Sequence, residues 1–170
     1  MTGQSGRSWI SRGAGTILRT RWIVRSPIRL YKWHLGGMFG KRLLMLEHVG
    51  RTSGQPRYVV LEVVDRPAGG GAVVVSGFGE KAQWYRNIVA NPHVRLYQGS
   101  HRPVDAIARQ LSARDATASL HTYAETYPKA WASLRPVLED TLGAPIDDQG
   151  TNLPMMVITP SSALPQKDLR

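Results

Sequence analysis

The feature of this sequence that most constrains its fold is a pair of apolar runs joined by a short polar segment. The runs cover residues 43–49 and 58–64 and are rich in Leu and Val. Such runs favour β-strands, and a short connection between two strands favours antiparallel pairing. The sequence therefore predicts a β-hairpin over residues 43–64.

The segment that joins the two runs reads Gly-Arg-Thr-Ser-Gly-Gln-Pro-Arg and covers residues 50–57. A hairpin places Arg51 and Arg57 at neighbouring strand ends, so that two guanidinium groups and the amides around Ser53 and Gly54 converge. This arrangement predicts an anion-binding site. The alternative is a surface loop in which glycine and proline shape the turn and the arginines are only solvated.

The remainder of the chain predicts one α+β domain, a split β-barrel of about six mainly antiparallel strands with C-terminal helices before the last strand. The other four strands are expected at 72–76, 94–98, 104–110 and 155–159, and the helices at 81–90, 113–126 and 128–142. The expected organisation is a disordered tail (1–15), a basic helical arm (16–37), the barrel domain (38–160) and a C-terminal tail (161–170).

The net charge of +10 is concentrated in the N-terminal arm. Residues 1–42 contain nine basic and no acidic side chains, whereas 13 basic residues face 12 acidic ones in the rest of the chain. Because the predicted barrel is nearly neutral, the charge does not favour a nucleic-acid-binding domain.

Apolar and basic residues alternate irregularly over residues 16–35, which predicts a basic amphipathic helix too interrupted to span a bilayer. One interpretation is peripheral contact with an anionic membrane; the other is a helix packed across the barrel mouth. The absence of cysteine fits a reducing compartment. We therefore expect a cytoplasmic protein, with the inner face of the cell membrane as a candidate location.

Several classes of chemistry find no support in the sequence. There is no cysteine, the five histidines show no metal-ligand spacing, and neither a nucleophile elbow nor a phosphate-binding P-loop is present. No metal site is predicted. If the protein is an enzyme, a cofactor carries the reaction.

Four motifs in the order found here resemble the deazaflavin-dependent nitroreductase family, which includes F420H2-dependent quinone reductases. They are the loop 50–57, Ser76 at the end of a strand, the segment 84–92 and the segment 153–160. The resemblance implies a split barrel that binds coenzyme F420. It also implies hydride transfer to an apolar, electron-poor acceptor such as a quinone or a nitroaromatic compound.

The resemblance also implies a set of site residues. Those for the phosphate and acidic tail of the coenzyme are Arg51, Ser53, Gly54 and Arg57. Those that line the deazaflavin ring through backbone contacts are Ser76, Gly77 and Phe78. Trp84 and Asn87 would wall and orient the same pocket; from the residues alone, a core tryptophan and a locally bonded helix asparagine are the alternatives.

Two departures from the family pattern affect the site. Gly77 stands where well-known members carry a lysine, and Lys81 is the candidate replacement for that charge. Of a tyrosine-rich stretch only Tyr127 remains, since Ala130 and Ser133 occupy positions of other tyrosines. Tyr127 and Ser76 are the candidates for a catalytic part; for Tyr127 the alternative is ordinary helix packing.

The function expected from these observations is an F420-dependent oxidoreductase of the nitroreductase or quinone reductase type. FMN is the second choice of cofactor. The alternative function is a non-catalytic module that binds a flavin, a deazaflavin or a lipid at the membrane surface. A monomer or a homodimer is expected, without a nucleic-acid partner.

Overall fold

A computed structural model describes residues 42–68, 70–99, 101–143, 145–146 and 151–164. The predicted tail 1–15, the predicted arm 16–37 with its membrane contact over 16–35, and the last residues of the C-terminal tail lie outside the described residues. The structure therefore bears on the barrel domain, including the helices that precede its last strand.

Six antiparallel strands form a closed barrel in the order β1-β2-β3-β6-β5-β4. The strands are β1 Leu43–Val49, β2 Pro56–Asp65, β3 Ala72–Val75, β4 His93–Tyr97, β5 Val104–Gln110 and β6 Met155–Pro160. In the predicted hairpin, His48 pairs with Arg57 and Val49 with Pro56. The α+β barrel expected from the sequence is confirmed.

Within the described residues, three helices accompany the barrel: α1 Gln83–Ala90, α2 Ala113–Thr126 and α3 Pro128–Leu142. The first begins two residues later than predicted, because Gly79–Lys81 form a separate 3-10 turn and Ala82 is extended. The Ser112 hydroxyl caps α2 by accepting from the Asp115 backbone N–H. No helix in the described ranges has the length and apolar character needed to cross a membrane.

The inside of the barrel is filled by apolar side chains from all six strands and from α1. Leu44 and Leu46 point inward on β1 and are fully buried, as are Val74 and Ile158 on neighbouring strands. These positions follow from the period of two along a strand, which sends alternate side chains to the same face. Ile88 of α1 joins this core and closes one end of the barrel.

A second apolar layer lies outside the barrel, where α2 and α3 cover β3 and β6. Leu120 and Tyr123 of α2 and Leu138 of α3 pack against Val73 and Met155, and all five are nearly or completely buried. The helices therefore cover one outer face of the barrel, while α1 lies at one of its ends.

Tyr123 also forms a polar contact between α2 and the barrel. Its hydroxyl donates to Glu62 Oε1 at 2.6 Å, and Arg42 Nη2 donates to the same oxygen at 2.6 Å. Burial, followed by the hydrogen bond to Glu62, raises the pKa of Tyr123 to about 12. The contact therefore depends on a protonated phenol.

This arrangement predicts a loss of stability at alkaline pH. The pKa of this phenol is higher in the folded than in the unfolded protein, so its contribution to stability is fully present below about pH 10. That contribution is lost as the pH rises from about 10 to about 12. Tyr97, whose hydroxyl donates to Glu47, has its pKa raised to about 12 in the same way. Urea unfolding at several alkaline pH values should show that the free energy of unfolding depends less on pH in the double variant Tyr97→Phe/Tyr123→Phe than in the wild type. An unchanged slope would contradict the assignment.

Candidate active site

A cavity of about 970 Å³ opens between the β1–β2 loop, the start of β2, the 3-10 turn and α1. Seven of the residues predicted for the site line it: Arg51, Ser53, Arg57, Phe78, Lys81, Trp84 and Asn87. Two of the four motifs, the loop 50–57 and the segment 84–92, meet at this one cavity, and Phe78 lies two residues after Ser76, the third motif. We call it the main pocket.

The β1–β2 loop is held in shape by its own polar groups. The Gly50 N–H donates to the Gln55 carbonyl at 2.9 Å, and the Gly54 N–H donates to the Gly50 carbonyl at 2.8 Å. The Ser53 hydroxyl accepts from the Gln55 N–H, and a Cβ at Gly50 would lie 2.6 Å from that hydroxyl oxygen. A side chain at position 50 would therefore force the Ser53 hydroxyl out of its present position.

Arg51 ties this loop to helix α1. Its backbone N–H donates to Asn87 Oδ1 at 3.2 Å, and its Nη1 donates to the same oxygen at 2.9 Å and to Gln83 Oε1 at 3.0 Å. Both acceptors are neutral amides, so they orient the guanidinium without neutralising its charge. Arg51 thus remains available to an anion in the main pocket.

The main pocket is electropositive. Arg51, Arg57 and Lys81 line it, and none of the described residues in its lining is an aspartate or a glutamate. Among the described residues, the side chains of Arg57 and Lys81 have no hydrogen-bond or ion-pair partner, although the main chain of Arg57 is part of the β1–β2 ladder. Three cations without a carboxylate make the pocket suited to a multiply charged anion. The described ranges contain no cluster of three potential metal ligands.

Phe78 and Trp84 give the main pocket an apolar wall, to which the ring of Tyr58 adds. Phe78 is 61% exposed and lies in the loop after β3. Trp84 is partly buried, packs against the barrel core and contacts the Tyr85 ring edge to face, with ring centroids 6.0 Å apart. Trp84 therefore belongs to the core and to the pocket at once, so the two sequence interpretations of this residue are compatible.

Three other predicted residues do not line the main pocket. Ser76 is fully buried, and its hydroxyl donates to the Gly79 carbonyl at 2.7 Å, which closes the turn that carries Phe78. Gly77 borders open space, since a Cβ there would meet no atom within 4 Å. Gly54 lies at the tip of the β1–β2 loop with φ of +65°, a conformation that favours glycine.

Tyr127 lies in a different cleft. It precedes α3, is 41% exposed and lines a cavity of about 250 Å³ together with Arg42, Arg66 and Thr126. The Arg42 guanidinium carbon lies 5.3 Å from the centre of its ring. The structure does not bring Tyr127 to the main pocket, so its predicted catalytic part gains no geometric support.

Two residues that sequence reasoning missed lie at the centre of the site. Gln83 accepts a hydrogen bond from Arg51. His48 is 4% exposed, and its Nδ1 lies 3.3 Å from Nδ2 of the Asn87 side chain. The inward alternation of Leu44 and Leu46 along β1 would have placed His48 on the inner face of the barrel. No comparable signal marks Gln83.

Comparison with known proteins decides the family. The sequence profile of the F420H(2)-dependent quinone reductase family matches residues 24–135, about two thirds of the chain. The chain belongs to this family. Its membership identifies it as an F420-dependent oxidoreductase, in agreement with the four motifs. No curated protein matches the sequence.

Solved structures similar to this F420H(2)-dependent quinone reductase family member include other barrels. An F420-H2 dependent reductase (FDR-A) is 25% identical, with a TM-score of 0.49 over 69% of this chain and 94% of that one. A domain-swapped dimer is 23% identical, with a TM-score of 0.50 over 82% and 98%. Atu2129 of Agrobacterium tumefaciens is 13% identical, with a TM-score of 0.50 over 71% and 48%. The last two show a shared fold.

Proposed function

We propose that the protein transfers hydride from reduced F420 to an apolar, electron-poor acceptor, with quinones as the first candidates and nitroaromatic compounds as the second. The observation that carries this proposal is the main pocket, in which three cations lie together with Phe78, Trp84 and Tyr58, and in which no described lining residue is a carboxylate. A coenzyme with a planar ring and an acidic tail matches both halves of that lining.

The residues present fit the coenzyme. Arg51 and Arg57 would hold its phosphate and acidic tail, with Lys81 as a third cation at the rim. The Ser76–Gly79 turn presents backbone and the Phe78 ring at the pocket, where the deazaflavin would lie. When bound, the reduced coenzyme supplies the hydride.

The contribution of the protein is to orient the reactants and to exclude water. Trp84, Phe78 and Val59 provide an apolar surface that suits an aromatic acceptor better than a polar one. Among the described residues that line the main pocket there is no carboxylic acid, and Lys81 and Tyr58 are groups that carry a proton at neutral pH.

Steady-state oxidation of reduced F420 tests this proposal. A menaquinone analogue and a nitroaromatic compound serve as parallel acceptors, and protein-free reactions give the background. We expect turnover above background with the quinone. If neither acceptor is reduced faster than without protein while F420 still binds, the alternative of a non-catalytic binding module is the better account.

FMN is a competing cofactor, because its phosphate could use the same arginines. F420 carries a longer acidic tail, and the pocket offers more cations than one phosphate requires. We therefore propose a preference for F420. Equal or tighter binding of FMN in a direct titration would reverse it.

For the basic segment 16–35 we propose peripheral contact with anionic membranes at the inner face of the cytoplasmic membrane. The proposal rests on the concentration of basic residues before position 43. Co-sedimentation of the full chain with anionic vesicles should fall with salt and with replacement of arginines 19, 21, 25 and 29 by glutamine. Equal partitioning of both proteins would contradict it.

We also propose a homodimer, by analogy with the domain-swapped relative, to be tested by light scattering.

A further inference from the structure

A buried amide connects the main pocket to the inside of the barrel. Asn87 is 6% exposed, and its Oδ1 accepts two hydrogen bonds from Arg51, one from the backbone N–H and one from the guanidinium. On the other side, its Nδ2 lies 3.3 Å from Nδ1 of the buried His48. The three residues therefore form a chain from β1 through α1 to the anion-binding loop.

The orientation of every group in this chain follows from Arg51. Both Arg51 groups are donors only, so the Asn87 atom that faces them must be the carbonyl oxygen. The amide nitrogen, also a donor, then faces His48, and the His48 Nδ1 must accept. An imidazole that accepts at Nδ1 is neutral and carries its proton at Nε2.

We propose that His48 is a positioning residue for the cofactor site: its unprotonated Nδ1 fixes the Asn87 amide, which in turn holds Arg51 and the anion-binding loop in place. Protonation of His48 at Nδ1 sets an N–H against the N–H of Asn87. The amide must then rotate or move away, and Arg51 loses an acceptor shared by its main chain and its side chain. This inference rests on the proposed function, since the affected property is F420 binding.

The charges around His48 favour the neutral form. Burial lowers the pKa of His48, and the Arg57 cation, directly opposite on β2, lowers it further, although a backbone hydrogen bond at Val49 opposes both effects. Arg51 adds a second cation beyond Asn87.

The other side of His48 faces a smaller cleft of about 320 Å³ near β4 and β5. The charged or titratable groups that line it are Glu47, His93, Arg95 and Asp105. Arg95 lies 3.8 Å from each of the two carboxylates, and Glu47 also accepts from the Tyr97 hydroxyl. These carboxylates therefore already have partners, which limits how far they can favour a charged imidazole.

The test compares F420 binding by the full chain and by His48→Gln between about pH 8 and about pH 5. Glutamine can accept from Asn87 through its oxygen but does not titrate. We expect wild-type affinity to fall by about ten- to hundredfold toward the acidic end, as for loss of a hydrogen bond to a charged group, and the variant to change much less. The ionisable groups of the coenzyme affect the affinity of both proteins equally, so their contribution cancels when the two pH profiles are compared. Identical pH profiles over the range in which NMR shows His48 to titrate would overturn the proposal.

A second measurement decides the proposal without the cofactor. Nitrogen-15 NMR of the histidine rings should show the Nε2-protonated tautomer for His48 at neutral pH. The backbone amide resonance of Arg51 should shift on acidification with the same midpoint as His48. An Nδ1-protonated ring, or an Arg51 amide that does not respond to that midpoint, would overturn the proposal. If F420 failed to bind at any pH, the proposed function would fail, and the NMR result would still decide the role of His48.

Discussion

Arg51→Ala/Arg57→Ala is expected to weaken F420 binding by about 2–5 kcal/mol, because each arginine contributes a charge-assisted contact of about 1–3 kcal/mol. The two losses need not add, since both guanidinium groups face one anion site. Arg57 gives the cleaner single variant: its side chain has no hydrogen-bond or ion-pair partner among the described residues. Fluorescence titration with F420 measures the effect.

Arg102→Ala is the matched control for this prediction. It removes the same charge from the barrel domain at an exposed position outside the main-pocket lining. Its F420 affinity should remain within about twofold of wild type, apart from a small long-range charge effect. If Arg102→Ala weakened binding as much as Arg57→Ala, net charge rather than a defined site would explain the effect. An unaltered affinity of the double variant would exclude the proposed anchor.

Leu46→Ala is expected to cost about 2–5 kcal/mol of folding free energy. Leu46 is fully buried on the inner face of β1, where its Cα pairs with both Val59 and Leu96. Removing its side chain leaves a cavity inside the barrel. The neighbouring strands β2 and β4 are held to β1 by ladder hydrogen bonds and cannot easily close around that cavity. Urea unfolding at neutral pH measures the loss.

Val89→Ala provides the comparison for the core variant. Val89 lies on α1 but is 58% exposed, so its truncation should change the free energy of unfolding by less than about 0.5 kcal/mol. A loss below about 1 kcal/mol for Leu46→Ala would show that the barrel interior repacks, contrary to the closed, filled core described above.

The fold could be predicted from the sequence because its signals are local. Runs such as 43–49 and 58–64 are rich in apolar, strand-forming residues and flank a turn-rich segment, while Ser112 and Pro128 mark helix starts that the structure confirms. The start of α1 could not be predicted to the residue, since the 3-10 turn Gly79–Lys81 and the extended Ala82 depend on the closed Ser76 turn.

The site was only partly predictable, for a different reason. Arg51 and Arg57 follow from the loop composition, whereas the partners of Arg51 come from α1, 32 and 36 residues away. No local pattern reports such contacts, so Gln83 and the role of His48 became visible only in the fold. Tyr127 shows the converse: a family pattern named it, and the structure places it in another cleft.

The most direct test of the central claim is a titration with three ligands: F420, FMN and the deazaflavin chromophore without its phosphate and acidic tail. We predict that F420 binds most tightly, and that Arg57→Ala weakens F420 binding much more than binding of the tail-free chromophore. That pattern would establish that the main pocket recognises the acidic part of the coenzyme through its arginines. Equal binding of F420 and the tail-free chromophore, or no binding of F420, would contradict the account.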